Sequence, residues 1–258
     1  MTTQVPAKCY HYNAHGHGFS AHLHRPFEHL IDVQAASSLP TIGGHGRARV
    51  DNFKFQELIS FKSAYTHVSG SHDPATGHYA SLATATVEGL NIQDLVTADR
   101  IVARMATRHP ADHREPHFEF VGSKFENLQI AGCRVELEFD QDFFQRLDTF
   151  EALLKELESS PQFRKMAEDP FQTGHARKLP DAHGVLLCSL VKEMKTKCPG
   201  TKQQGHCLVV PQFGRIYLAE VLARHATRTL TMLRLEMGCA ISGAATAAEV
   251  VGNGRPWP

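Results

Sequence analysis

The chain has no long hydrophobic run: nowhere in its 258 residues do 18 apolar side chains follow one another, which excludes a membrane-spanning helix. It has no excess of charge either. Its 27 basic and 27 acidic residues cancel, so nothing draws it to nucleic acid or to anionic lipid at neutral pH. Cysteine is sparse, and the six residues Cys9, Cys133, Cys188, Cys198, Cys207 and Cys239 include no C-x-x-C, which removes the zinc ribbon and the usual redox motif. There is no G-x-S-x-G elbow, no phosphate-binding G-x-x-x-x-G-K-[ST] and no H-E-x-x-H. The stretch "GGHGRARV" from Gly43 lacks the third glycine and the helical pattern of a dinucleotide site. The common hydrolase, nucleotide and zinc-protease designs are therefore absent. The N-terminus "MTTQVPAKCYHYN" shows no basic region followed by an apolar run, so the expected location is the cytoplasm, with reduced thiols.

A chain of this length can bury about 75% of the surface it exposes when unfolded, so it needs neither metal nor disulfide to hold a core. One pairing is nonetheless geometrically open. In "CPGTKQQGHC" a hairpin centred between Lys202 and Gln203 would place Cys198 opposite Cys207.

What the chain does have is strand periodicity. "HYASLATATVEG" and "RIVARMATRH" place small or β-branched residues on every second position. "SGSHDPATGH" and "RHPADHREPH" have the Gly, Pro, Asp and Ser content of hairpin tips. Three segments repeat one pattern: "VDNFKFQELIS" from Val50, "VEGLNIQDLVT" from Val87 and "FENLQIAGCRV" from Phe125, spaced 37 and 38 residues apart. A recurrence in phase predicts equivalent buried positions for Phe53, Leu90 and Leu128, and again for Phe55, Ile92 and Ile130. Thr97 to Asp99, "TAD", falls inside this pattern and reads as a strand junction.

Helical spacing appears once, in "DTFEALLKELESSPQFRKM", with Phe150, Leu153, Leu154 and Leu157 on one face and a capping box from Asp148 to Glu151. Strands resume in "GVLLCSLVKEM", "HCLVVPQFGRIYLAEVL" and "RTLTMLRLEM". The expected fold is mainly β: repeated hairpins in a sandwich or prism-like stack, one domain over residues 1–258 with a helical insertion at 142–170.

The elements "ATVEGLNIQDLVTADRIVA", "NLQIAGCRV", "VVPQFGRIYLAEV" and "LTMLRLEMG" resemble the repeating core of bacterial choice-of-anchor P-type proteins over roughly residues 80 to 140 and 205 to 240. That resemblance implies a β-rich, non-catalytic protein of the cell surface.

Histidine is the residue in surplus. Of 17 in the chain, His11, His15, His17, His22, His24 and His29 lie within "YHYNAHGHGFSAHLHRPFEHL", residues 10–30. His22-Leu-His24 followed by Glu28 is similar to the first metal motif of cupins, although Ala35 stands where that motif has glycine and no second motif follows. H-x-H in a strand puts two imidazoles on one face, and a carboxylate completes a site for zinc, iron, manganese or nickel. The candidate ligands are His15, His17, His22, His24 and Glu28, with Glu28 as ligand or general base. In an unbroken strand His15 and His17 face away from His22 and His24, so all four converge only if Gly16 or Gly18 supports a bulge. The alternative is a glycine-rich strand pair with exposed imidazoles.

A basic run, Lys192, Lys195, Lys197 and Lys202, has no interleaved aromatics and reads as a solvated hairpin. The single tryptophan, Trp257, lies between two prolines at the C-terminus. Together these features favour a structural or interaction protein that forms homo-oligomers or binds a protein partner through its β surface. The alternative is a metal-dependent enzyme using the histidine stretch and a divalent transition metal. Neutrality near pH 7 with so many histidines predicts an assembly favoured near neutrality and loosened at about pH 5.

Overall fold

The computed structural model describes residues 10–110, 115–140, 142–147, 149–161, 163, 185–238 and 241–256. The chain runs out along β1 (Tyr10–Arg25), turns back as β2 (His29–Gln34) and touches β1 again as β3 (Ser37–Ser38). A meander of long strands follows: β4 (Gly44–Phe55), β5 (Ile59–Asp73), β6 (His78–Ile92) and β7 (Val96–His109). Short strands β8 (His117–Glu119), β9 (Lys124–Glu126) and β10 (Gln129–Ile130) return along β7 and lead into β11 (Cys133–Phe139). Helices α1 (Phe143–Arg146) and α2 (Phe150–Ser159) come next. The chain ends with β12 (Leu186–Ser189), β13 (Val191–Thr196), β14 (Lys202–Gln204), β15 (Cys207–Val210), β16 (Gly214–Arg224), β17 (Thr227–Gly238) and β18 (Ser242–Pro256).

These strands form two nine-stranded antiparallel sheets. The first has the order β14-β15-β16-β17-β18-β1-β2, with β12 on β16 and β3 on β1; the second has the order β13-β11-β10-β7-β6-β5-β4, with β8 and β9 on β7. Strands β1, β17 and β18 face β5, β6 and β7. The expected mainly-β, sandwich-like architecture is what the chain adopts. Between β12 and β13 the chain changes sheets at a single residue, Leu190, whose N–H donates to Ala219 of the first sheet at 3.0 Å and whose carbonyl accepts from Asp140 of the second at 2.9 Å.

The middle of the interface is built from small residues. Ala14, Ala64, Ala83, Ala85, Ala103, Ala245 and Ala247 are all buried, and a Cβ placed on Gly18 would lie 2.6 Å from the Ala64 Cβ. At Gly252 a Cβ would lie 2.8 Å from the Met105 Cε. Gly18 and Gly252 are thus two of the points where one backbone comes close to the opposite sheet.

Each sheet is broken by a line of stepped-over residues. Pairing passes from His17 with Glu249 to Phe19 with Ala247, from Thr231 with Glu249 to Leu233 with Ala247, and from Leu218 with Leu233 to Glu220 with Thr231. Gly18, Ala248, Met232 and Ala219 therefore lie in one row, with Ala219 at φ +50° and Ala248 at φ +54°. The second sheet has the same device: Asp51 pairs with Ser63 and Phe53 with Phe61, Glu88 with Arg100 and Leu90 with Ala98, stepping over Asn52 (φ +56°) and Gly89 (φ +62°). Along each strand this row reverses which alternate residues face the core, and it adds local twist, which long strands need in order to wrap a common core.

The three similar segments share this geometry. Their third residues, Asn52, Gly89 and Asn127, and their seventh, Gln56, Gln93 and Ala131, all have positive φ. Leu90, Leu128, Ile92 and Ile130 are buried as expected. Phe53 and Phe55 are only half-buried, because β4 ends its sheet and has a neighbour on one side alone.

Helix α2 buries Phe150, Leu153 and Leu157, with Leu154 packed at the margin. Its cap is Thr149, whose hydroxyl accepts from Ala152 N at 3.1 Å, and Glu151 ion-pairs with Lys155 at 2.8 Å. The capping residue is thus Thr149, whose side chain reaches one of the free N–H groups of the first turn; the expected Asp148–Glu151 box involves a residue outside those described. Asp148, residues 164–170 and Trp257 lie outside the described residues.

Candidate functional site

Strand β1 carries the histidines, and the row at Gly18 decides where they point. Tyr10, Tyr12, Ala14, Gly16 and Gly18 face inward; past the step Phe19, Ala21 and Leu23 face inward instead. His15, His17, His22 and His24 consequently all lie on the outer face. The reversal of face at Gly18 brings all four to one side without any change of register against β18, yet five residues of strand separate His17 from His22, about 16 Å at the usual rise. The four ligand candidates therefore divide into two groups.

The first group lies where β1 ends and the chain returns as β2. Leu23, buried between them, holds His22 and His24 on one side, and the pairing of Leu23 with His29 brings the loop bearing Glu28 back beside them. The two imidazoles are 4.4 Å apart, and His22 Nε2 is 3.4 Å from Glu28 Oε1. One ligand atom from each of His22, His24 and Glu28 falls within 4.8 Å of the others, and all three residues are exposed. This is a two-nitrogen, one-oxygen set with one side open to solvent, a donor chemistry that fits zinc or another divalent transition metal.

The second group is already engaged with protein. His17 Nδ1 is 3.9 Å from Glu249 Oε1, and its Nε2 is 3.3 Å from Thr246 Oγ1 and 3.5 Å from Ser20 Oγ. Burial lowers the His17 pKa; Glu249 opposes that shift and His15 adds to it. His17 does not join the set formed by His22, His24 and Glu28, and His15 likewise lies outside it.

His17 instead begins a polar belt that crosses four strands. Thr231 Oγ1 donates to Glu249 Oε2 at 2.7 Å. One strand further on, Glu220 accepts from Arg234 Nε at 2.6 Å and Nη2 at 2.9 Å, and lies 3.2 Å from His206 Nε2. The Arg234 guanidinium lies over the Tyr217 ring, 3.7 Å from its centre. Glu220 and His206 are 3% and 2% exposed; His206 belongs to the β14–β15 turn, and its carbonyl accepts from Leu218 N at 3.2 Å. Burial pushes the Glu220 carboxyl upward, but hydrogen bonds from Arg234 and His206 hold it below its ordinary value. None of this belt was legible from sequence. Its members are separated by up to 232 positions and meet only because β18 pairs with β1.

Other candidate features resolve structurally. Thr97 to Asp99, "TAD", lie inside the first part of β7 rather than at a turn or junction, and Asp99 accepts from the Asn127 amide at 2.5 Å. Lys192 pairs with Glu138, and Lys195 lies 3.2 Å from Glu193, so much of the basic run is neutralised locally. The hairpin in "CPGTKQQGHC" turns at Gly205 and His206, with Gln204 opposite Cys207. The Cys198–Cys207 pairing that the spacing left open is not formed: Cys198 precedes β14 altogether and carries a free thiol.

Beside the first histidine group lies a groove lined by Ser20, His22, Leu30, Asp32, Val33 and Thr246. Its outer wall is β2, which among the described residues hydrogen-bonds to β1 alone. Four strands terminate the two sheet orders, and three of them carry cations: β4 has Arg47, Arg49 and Lys54, β13 has Lys192 and Lys195, and β14 has Lys202. Strand β2, "HLIDVQ", has no Lys or Arg, and it exposes Leu30 at 62% and Val33 at 52%, next to exposed Phe27.

A family model described as a domain of unknown function, DUF8256, matches residues 10–224. No curated protein and no solved structure matches the chain.

Proposed function

The chain belongs to the DUF8256 family, a domain of unknown function, and from its own geometry we propose that it is a non-enzymatic interaction protein that self-associates through the edge of β2. The observation that carries this reading is the contrast among sheet ends. Natural sheets guard their edges with Lys, Arg or Pro against pairing with other chains, and β2 alone of the four terminal strands has no cation while presenting Leu30 and Val33 to solvent. A second copy pairing antiparallel on β2 would satisfy its open backbone groups and cover those side chains, in a two-fold contact where each copy offers the same patch. The zero formal net charge leaves no long-range repulsion to oppose such contact. The recurrent segments from Val50, Val87 and Phe125 supply a scaffold of copied units rather than a site.

The test is sedimentation equilibrium over a wide concentration range. The unaltered protein should form dimers or larger species, and Leu30→Lys with Val33→Lys should return it to monomer without lowering its unfolding midpoint. A chain that stays monomeric at its highest soluble concentration would overturn the proposal.

A second reading rests on the donor set formed by His22, His24 and Glu28. In it the site holds a divalent transition metal at the corner beside β2, with Glu28 as ligand or, in a metal-dependent enzyme, as general base. Calorimetric titration with zinc should then give one site per chain, abolished by His24→Ala and unaffected by His15→Ala. Equal binding by both variants would remove this reading.

A further inference from the structure

The cysteine that sequence spacing linked to Cys207 has a different neighbour. Strands β11 and β13 pair antiparallel, with Val135 opposite Thr196, Glu136 opposite Lys195 and Leu137 opposite Met194. Extending that register two residues past Val135 and Thr196 sets Cys133, the first residue of β11, directly opposite Cys198. Both sulfurs turn toward the same carbonyl: Cys133 Sγ is 3.7 Å and Cys198 Sγ 3.9 Å from Ala131 O. Cys198 also donates to Ile130 O at 2.9 Å, and Cys133 is near enough to raise the Cys198 pKa beside the effect of burial. Directly opposed residues of an antiparallel pair have Cα atoms roughly 4.5–5.5 Å apart, inside the span a disulfide bridges without moving the backbone.

We propose that Cys133 and Cys198 are a disulfide-forming pair, oxidised by a hydroperoxide such as hydrogen peroxide. Cys133 is the partly exposed member and the one a peroxide reaches; Cys198 is 9% exposed. The Cys133 sulfur attacks the peroxide, an S–O bond forms as the O–O bond breaks, and one water leaves with the thiol proton. The Cys198 sulfur then attacks the sulfenic acid, an S–S bond forms as the S–O bond breaks, and the Cys198 proton leaves with a second water. The pair loses two electrons and the peroxide gains them. Cys188 is excluded from this chemistry by position: it is fully buried, with its thiol donating to Val221 O, and burial pushes that thiol up to about 12. The bond would join β11 to the segment leaving β13 and close the chain around both helices, fixing the point from which it crosses to β14 in the other sheet.

The test treats the folded full-length chain with hydrogen peroxide, blocks remaining thiols with an alkylating agent, and maps peptides by mass spectrometry without reduction. A peptide joining Cys133 to Cys198, two hydrogens lighter than its parts and released by a reductant, is the expected product in the unaltered protein. Cys207→Ser should leave its yield unchanged. Cys198→Ser should instead leave Cys133 as a sulfenic acid that dimedone traps. Recovery of both cysteines in alkylated form after peroxide treatment, or a link from Cys198 to any other cysteine, would overturn the assignment. Because the first readout needs no variant, a substitution that fails to fold does not protect the proposal.

Discussion

Glu249 stands directly opposite His17 on β1 and opposite Thr231 on β17, its two carboxylate oxygens divided between them at 3.9 Å and 2.7 Å. His17 therefore meets one acid, Glu249, and one neighbouring imidazole, His15, with the Ser20 and Thr246 hydroxyls at its other nitrogen. Burial is the largest influence and lowers its pKa in the folded protein. Below the unfolded value of about 6.5, the unfolded chain then binds a proton that the folded chain resists. Stability falls as pH drops through that value toward the lower folded one. The urea midpoint should decline more steeply between pH 7 and pH 5 for the unaltered protein than for His17→Gln. Parallel declines would show that the linked group lies elsewhere.

Close approach of the sheets at Gly18 gives a paired test. A methyl group there would lie 2.6 Å from the Ala64 Cβ, so Gly18→Ala forces the layers apart and should cost roughly 1–3 kcal/mol. The atom it meets is itself a single methyl group. Adding Ala64→Gly should recover part of the loss, and a double-variant cycle by urea titration measures the coupling. Additive costs would mean that the two residues do not constrain each other.

Leu90 and Phe53 occupy the same place in the repeated pattern but differ in cover. Leu90 lies in central strand β6 at 1% exposure, whereas Phe53 lies in terminal strand β4, stacked on Phe61 with rings 4.8 Å apart. Leu90→Ala should cost roughly 2–5 kcal/mol through the cavity it leaves. Phe53→Ala should cost less than the usual figure for a buried aromatic, since part of its ring is already in water. Denaturant titration of both variants checks the order; a Phe53 loss equal to or above that of Leu90 would contradict the difference in burial.

The alternation in β6 and β7 was readable because one face of each strand is buried and small or β-branched residues recur at period two. The recurrence of "VDNF", "VEGL" and "FENL" falls on the positions, Asn52, Gly89 and Asn127, that share a left-handed backbone. What sequence could not show was the row of steps through Gly18, Ala248, Met232 and Ala219, because three of those four residues look like ordinary core positions and the row exists only once four strands are in register. That row sends all four candidate histidines to the outer face, and strand length then separates His17 from His22. The same dependence on register explains the cysteines. A hairpin read from spacing pointed Cys198 at Cys207, while the real constraint is β11 against β13, whose pairing crosses both helices.

The corner at β2 would tie the proposed association to local charge. Around Leu30 and Val33 lie His22, His24 and His29, with Arg25 as the local fixed cation and Glu28 and Asp32 as anions. Near neutrality these charges are close to balance, and a two-fold contact brings no strong field against its copy. A chain with 17 histidines gains positive charge as the pH falls toward about 5. His22 lies 3.4 Å from Glu28, and the proposed two-fold contact would bring the histidines of one copy near those of the other. Association through β2 should therefore weaken between pH 7 and pH 5, and added salt should restore part of it by screening like charges. Light scattering over pH 5 to 8 at two salt concentrations reads this directly. A variant with His22, His24 and His29 replaced by Gln should keep its size at pH 5. If the unaltered protein holds one particle size across both variables, protonation at this corner does not control the contact, whatever surface the copies use.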